Sequence, residues 1–244
     1  MHIHQHVCVL VAMDEEARPM IENLKLASLP SPHPKSPMDC YQGEINGVKI
    51  TVITNGKCAR FGVANVGTTP AALTAYLAIA SLNPDIVINA GTAGGFQAKG
   101  GVVGDVYIST TLKHHDRRIP IPGFTEYGMG THTSIECPKL VEFLGCKTGV
   151  VSTGNSLDHT PKDDELMLAN DASVKEMEAA AIAWVAEMLS VPFFAIKVIT
   201  DIVDGDKATE EEFMQNLSTA AKSLQSTVPK VVEFLSKAES TDNL

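Results

Sequence analysis

Two carboxylates in the last third of the chain stand where chemistry could be done. Glu178 opens an alanine-rich segment, Glu178-Ala179-Ala180-Ala181, that reads as a helix start. Asp201 follows Phe193–Thr200, an apolar run of the kind found in a buried strand. In an open α/β sheet, helix starts and strand C-terminal ends both face the ligand crevice. A carboxylate beside small residues can accept two hydroxyl hydrogen bonds, as from a ribose diol. A carboxylate at a buried strand end holds its proton more tightly and can act as an acid near neutral pH. Each has a plainer alternative: Glu178 as a solvent-facing glutamate, Asp201 as a helix N-cap.

Two further segments have the right composition. Ala12-Met13-Asp14-Glu15-Glu16 follows the first strand, and its acids would ordinarily serve the dipole of a first helical turn. Gly91-Thr92-Ala93-Gly94-Gly95 follows another strand and reads as a tight turn whose N–H groups could cradle an oxyanion or ribose. Its spacing is neither G-x-G-x-x-G nor a P-loop, so a dinucleotide or nucleoside triphosphate is disfavoured. No G-x-S-x-G nucleophile elbow occurs; Gly154-Asn155-Ser156-Leu157 lacks the second glycine. His2, His4 and His6 alternate, but solvated histidines are the simpler reading, and no metal is expected.

The elements that must position these residues alternate. Strands are expected at His6–Val11, Tyr41–Glu44, Val48–Thr54, Asp85–Asn89, Val106–Thr110, Thr148–Ser152 and Phe193–Thr200. Helices are expected at Asp14–Leu24 with Asp14 as N-cap, at Gly67–Ser81, Glu178–Leu189 and Glu210–Phe234. Asn46-Gly47 marks a hairpin, and the four prolines of Leu29–Pro37 mark a loop. His114–Thr133, rich in Pro, Gly and His, reads as a long loop serving a site. The resulting class is α/β: a single domain over 1–244 with a mixed, mostly parallel central sheet flanked by helices, and flexible ends at 1–5 and 238–244.

Composition narrows the function. The 244 residues are 44% hydrophobic and 20% charged with net charge −10, which suits a globular protein with a sizeable core. No run of basic residues offers a nucleic-acid or membrane surface. Five cysteines without a CxxC, and no signal peptide, point to reduced thiols in the cytoplasm. No apolar stretch reaches the roughly 18 residues of a membrane helix.

Taken together and in this order, five segments resemble the nucleoside phosphorylase superfamily, and within it the plant-type 5′-methylthioadenosine nucleosidases. They are Ala12–Glu16, Ile88–Phe96, His115–Pro122, Met177–Ala181 and Thr200–Lys207, and the likeness runs from Val7 to about Phe234. The resemblance implies hydrolysis of methylthioadenosine, with S-adenosylhomocysteine as a second candidate substrate, without a cofactor, in a homodimer whose partner covers the alkylthio pocket. It implies that Glu16 activates water and that Asp201 protonates the leaving adenine. Glu178 would hold the ribose hydroxyls beside Met177, Met13 and Thr92, with Thr200 next to the acid. Leu157 and Asp158 would belong to the segment whose backbone reads the adenine edge. One departure stands out: the family usually has Gly-Asp before that segment, and here Asn155 follows Gly154. A phosphate-dependent phosphorylase is the alternative enzyme, with Arg18 and Arg60 as candidate phosphate partners. A nucleoside-binding relative without activity would be expected to lack Glu16 or Asp201.

Overall fold

Alternation along the first strand explains the layers. In β1 (His6–Val11), Val7, Val9 and Val11 face one core while Cys8 and Leu10 face another. A strand apolar on both faces must lie inside a sheet covered on both sides. On the first side pack α1 (Asp14–Asn23), α4 (Pro138–Leu144) and the long α7 (Thr209–Lys237). On the second pack α2 (Thr68–Leu82) and α6 (Ala179–Met188). The computed structural model describes residues 5–238 and 244, so most of the two ends expected to be flexible, and His2 and His4, lie outside the described residues.

The remaining strands are β2 (Ala27–Leu29), β3 (Asp39–Ile45), β4 (Val48–Thr54), β5 (Ile86–Gly95), β6 (Val106–His114), β7 (His132–Thr133), β8 (Lys147–Thr153), β9 (Ala172–Glu176) and β10 (Phe193–Ile202). Short helices α3 (Phe124–Met129) and α5 (Pro161–Ala169) complete the chain. The sheet is mixed, as expected. Its centre, β4-β1-β5-β10, is parallel, and so are β6-β8 and β8-β9. β10 pairs with both β5 and β6, and β9 pairs with both β8 and β5. Strands β5, β10, β6, β8 and β9 therefore close on one another, and the C-terminal ends of β5, β9 and β10 meet.

The β3–β4 hairpin turns at Asn46 and Gly47, both at positive φ, the geometry a two-residue connection needs. Asn83 takes the left-handed conformation that ends α2.

Several expectations are corrected. Gly91–Gly95 is no turn: it continues β5, because Gly94 and Gly95 pair with β9 and β10. Asp201 lies within β10 rather than after it, next to a register shift between Ile199 and Asp201. Met13, not Asp14, occupies the N-cap of α1, and Asp14 ion-pairs with Arg18. Leu29 ends the short edge strand β2, and the His114–Thr133 segment contains α3 and β7. Strand β9 was not visible in the sequence pattern because Lys175 and Glu176 interrupt its apolar run.

Candidate active site

The site begins at β5, whose bare backbone lets two carboxylates approach. Glu16, at the third position of α1, turns back to accept from the Met13 N–H at 3.4 Å. It also accepts from the Thr92 N–H and Thr92 Oγ1, each at 2.7 Å. The Glu16 side chain is buried, and desolvation pushes its pKa upward against the pull of Thr92 and Lys197.

Two residues further along β5, Gly94 faces Asp201. A Cβ on Gly94 would stand 2.6 Å from Asp201 Oδ2, so only glycine leaves room for this carboxylate. Thr200 Oγ1 donates to Asp201 Oδ1 at 2.7 Å. Burial raises the Asp201 pKa, partly offset by the Thr200 hydroxyl and the Lys175 charge. Glu16 thus meets β5 at Thr92 and Asp201 meets it at Gly94, two residues further on.

Glu178 caps α6 and accepts from the N–H of Gly67, the residue that starts α2, at 2.8 Å. Gly67 has φ +98°, a conformation that suits glycine and aims its N–H at the carboxylate. Burial, then the charge of neighbouring Glu176, raises the Glu178 pKa. Glu176 goes the other way. Burial opposes its charge, but Lys197 at 2.9 Å, the Thr153 hydroxyl and the Glu178 N–H outweigh it, and the pKa falls. Glu176 also accepts from the Ala179 N–H at 2.9 Å. Lys197 and Glu176 are almost wholly buried, and their pairing avoids leaving either charge alone.

Glu16, Thr92, Gly94, Glu176, Glu178 and Asp201 line one cavity of about 220 Å³. Eight of the nine residues selected from the sequence line it: Glu16, Asp201, Met13, Thr92, Leu157, Met177, Glu178 and Thr200. Asp158 does not; it is exposed, and its charge supports the ammonium of Lys175. Lys175 and Glu176 also line the cavity, and neither they nor Lys197 were selected. The available signal was a lysine inside the strand Phe193–Ile202, since an unpaired buried lysine is rare. Arg18 and Arg60 are both absent from the lining.

Asn155 explains its own departure. Its Oδ1 accepts from the Thr68 N–H at 3.0 Å and from Thr68 Oγ1 at 2.8 Å, at the start of α2. Its Nδ2 donates to Asp116 Oδ2 at 3.0 Å, beside its own N–H at 2.7 Å. An aspartate could not donate there and would set two carboxylates together. No cluster of three or more metal-ligating side chains occurs among the described residues.

Relatives of known identity share this architecture. A family model described as Phosphorylase superfamily matches residues 6–233. The chain is 44% identical to an Arabidopsis thaliana 5′-methylthioadenosine/S-adenosylhomocysteine nucleosidase, over 94% of this chain and 91% of that one. It superposes on the apo structure of Arabidopsis thaliana 5′-methylthioadenosine nucleosidase with a TM-score of 0.96 at 41% identity, covering 99% of each chain. A more distant match is the Neisseria meningitidis 5′-methylthioadenosine/S-adenosylhomocysteine nucleosidase in complex with methylthio-immucillin-A. Its TM-score is 0.78 at 27% identity, covering 94% of this chain and 99% of that one. The chain therefore belongs to the phosphorylase superfamily and, within it, to the 5′-methylthioadenosine nucleosidases.

Proposed function

We propose that this protein hydrolyses the N-glycosidic bond of 5′-methylthioadenosine, giving adenine and 5-methylthioribose, as a step of methionine salvage. S-adenosylhomocysteine, which differs only beyond the 5′ sulfur, is the second candidate substrate. The observation that carries the reading is the pair Glu16 and Asp201, both buried, anchored two residues apart along β5 in one cavity with Glu178.

The chemistry follows from this placement. Asp201, whose pKa burial raises, gives its proton to N7, so adenine leaves as a neutral base. Positive charge develops at C1′ as the bond lengthens. Glu16 takes a proton from the water that attacks from the other side, and burial makes it a stronger base than an exposed glutamate. Glu178 accepts from the 2′ and 3′ hydroxyls, with Met13, Met177 and Thr92 against the sugar and Thr200 orienting Asp201. Leu157 meets the adenine from the cavity wall, and Asp158 follows it outside the lining. No metal or organic cofactor enters the scheme.

The phosphorylase reading is weaker. Arg18 is engaged with Asp14, and Arg60 stacks on Phe61 with its guanidinium 5.0 Å from the ring. Among the described residues the cation lining the cavity is Lys175, and its ammonium is spent on backbone carbonyls. A buried carboxylate at the nucleophile position repels phosphate.

The protein acts as a homodimer in this reading. Helices α2 and α6 present Leu73, Tyr76, Trp184 and Met188 to solvent, beside Phe124 and Tyr127 of the 114–133 segment. Tyr127, Trp184 and Met188 line one surface groove, and exposed apolar side chains of this kind suit a subunit contact. Its five cysteines are unpaired in the structure, in keeping with a reducing cytoplasmic setting. No described helix is long and apolar enough to cross a membrane.

The deciding experiment incubates the protein with methylthioadenosine in phosphate-free buffer. Adenine release at an undiminished rate is expected. Release only after phosphate is added would favour the phosphorylase, and no release under either condition would favour the binding protein. Gel filtration with light scattering at micromolar concentration should give twice the 26.0 kDa chain mass; a monomer would refute the dimer.

A further inference from the structure

A buried lysine that the scheme above does not use stands opposite the proposed acid. In the β9–β5–β10 rows, Lys175 pairs with Gly94 and Gly94 pairs with Asp201. Directly opposed residues project to the same face of a sheet. The bare glycine between them leaves the lysine and the aspartate facing each other across an open backbone, and both line the cavity.

The Lys175 ammonium is not idle. It donates to the Ser156 carbonyl at 2.9 Å and to the Leu157 carbonyl at 2.7 Å, and the residue is only 6% exposed. Ser156–Leu157 is a loop with few other ties: Ser156, Leu157 and Asp158 are all exposed. Burying an ammonium is costly unless charges and acceptors surround it. Asp201 on β10, Asp158 beyond the loop, Glu176 on its own strand and Asp163 on α5 supply those charges. Burial, then the charge of Lys175, lowers the pKa of His115, which follows β6. Asp201 in turn is faced by Lys175 and, from α7, by Glu212, which acts in the opposite sense.

We propose that Lys175 is a positioning residue of the purine subsite: it ties the Ser156–Leu157 segment to β9 and holds a positive charge across Gly94 from Asp201. This rests on the nucleosidase reading. The loop tie fixes the backbone that meets the base, so it acts on substrate binding. The charge favours the ionised form of Asp201 against the effect of burial, so it lowers the pH above which the acid no longer carries its proton. Without the lysine, Asp201 keeps its proton to higher pH.

The test compares the unaltered protein with Lys175→Met, which keeps the apolar stem but removes charge and donors, and with Lys175→Arg, which keeps both. For Lys175→Met, KM for methylthioadenosine should rise about tenfold, the scale of lost charge-assisted hydrogen bonds. The alkaline limb of kcat should move to higher pH. Lys175→Arg should leave that limb in place. If Lys175→Met does not fold, Lys175→Gln, which keeps a donor without the charge, takes its place and should still move the alkaline limb. A folded neutral variant with unaltered KM and pH profile overturns the inference, as does one whose only change is a lower Tm. So does a Lys175→Arg profile displaced as far as that of the neutral variant. An unaltered protein that releases no adenine sinks the nucleosidase reading itself; an active one with an indifferent neutral variant sinks only the role of Lys175.

Discussion

Asp201 rests against the uncovered backbone of Gly94, so near that the smallest side chain on that glycine would come 2.6 Å from its carboxylate. The same added carbon would lie 2.7 Å from the Val203 side chain. Gly94→Ala must therefore push Asp201 and Val203 away from β5. A displacement of about 1 Å at a reacting group can cost on the order of 100-fold in rate. We expect kcat for adenine release to fall by about that factor with the fold retained, checked by steady-state kinetics beside circular dichroism. A normal kcat would mean that Asp201 does not need this position.

The three raised carboxylates make a linked prediction about stability. Glu16, Glu178 and Asp201 all have folded pKa values above their unfolded ones. Such groups favour the fold while protonated, and that contribution is lost as pH rises through the folded pKa. At pH 8 they are a burden on stability. Asp201→Asn and Glu16→Gln should thus cut turnover by about 10²–10⁴-fold while raising Tm at pH 8 more than at pH 5. Each kcal/mol recovered is worth roughly 2–4 °C in a chain of this size. Turnover close to that of the unaltered protein in Asp201→Asn would remove the acid assignment.

Asn155 and Asp116 offer a reciprocal pair. Asn155→Asp alone places two carboxylates at the 3.0 Å contact and loosens the start of α2, where Gly67 meets Glu178. KM should rise several-fold and Tm should fall. Adding Asp116→Asn restores a donor and an acceptor across the same gap, so the double variant should recover most of both losses. A double-mutant cycle with additive effects would show that the two side chains do not act together.

Asp163 joins α5 to the 114–133 segment. It accepts from the Thr160 N–H at 3.0 Å and from Thr160 Oγ1 at 2.7 Å, and takes the Arg118 guanidinium at 2.7 Å. Burial works against its charge, yet the Thr160 hydroxyl, its N–H and Arg118 hold its pKa down at about 2. Asp163→Ala removes a cap and an ion pair and should cost about 1–2 kcal/mol. The sign with pH is opposite to that of the catalytic carboxylates: this contribution is present above the unfolded pKa and disappears as pH falls towards about 2. Denaturant titrations of both proteins should converge on acidification; a constant gap would refute the ionic contribution.

Much of the site was readable because its residues sit where sequence patterns change. Glu178 stands at the edge of an alanine run and Asp201 at the end of an apolar one, and the cavity forms where those edges meet. The strand over Phe193–Thr200 followed from its continuous apolar run, and the hairpin at Asn46-Gly47 from alternation and turn chemistry. Gly91–Gly95 misled because glycine is commonest in turns, whereas here it admits carboxylates beside a strand. Lys175, Glu176 and Lys197 carry no local signal because the partners that satisfy them, backbone carbonyls for Lys175 and each other for Glu176 and Lys197, are distant in sequence. Local pattern carries no information about such partners.

One residue on α6 makes the molecule its own optical instrument. Trp184 is the chain's single tryptophan and is 43% exposed. It lies six residues, roughly 9 Å along the helix, from the Glu178 cap. Its fluorescence carries no background from any second indole. Emission that shifts to the blue as the protein is concentrated reports subunit association directly, without a dye. A separate change on adding ligand at fixed concentration reports events at the α6 start. Assembly and occupancy can thus be followed in one cuvette, on the unmodified chain.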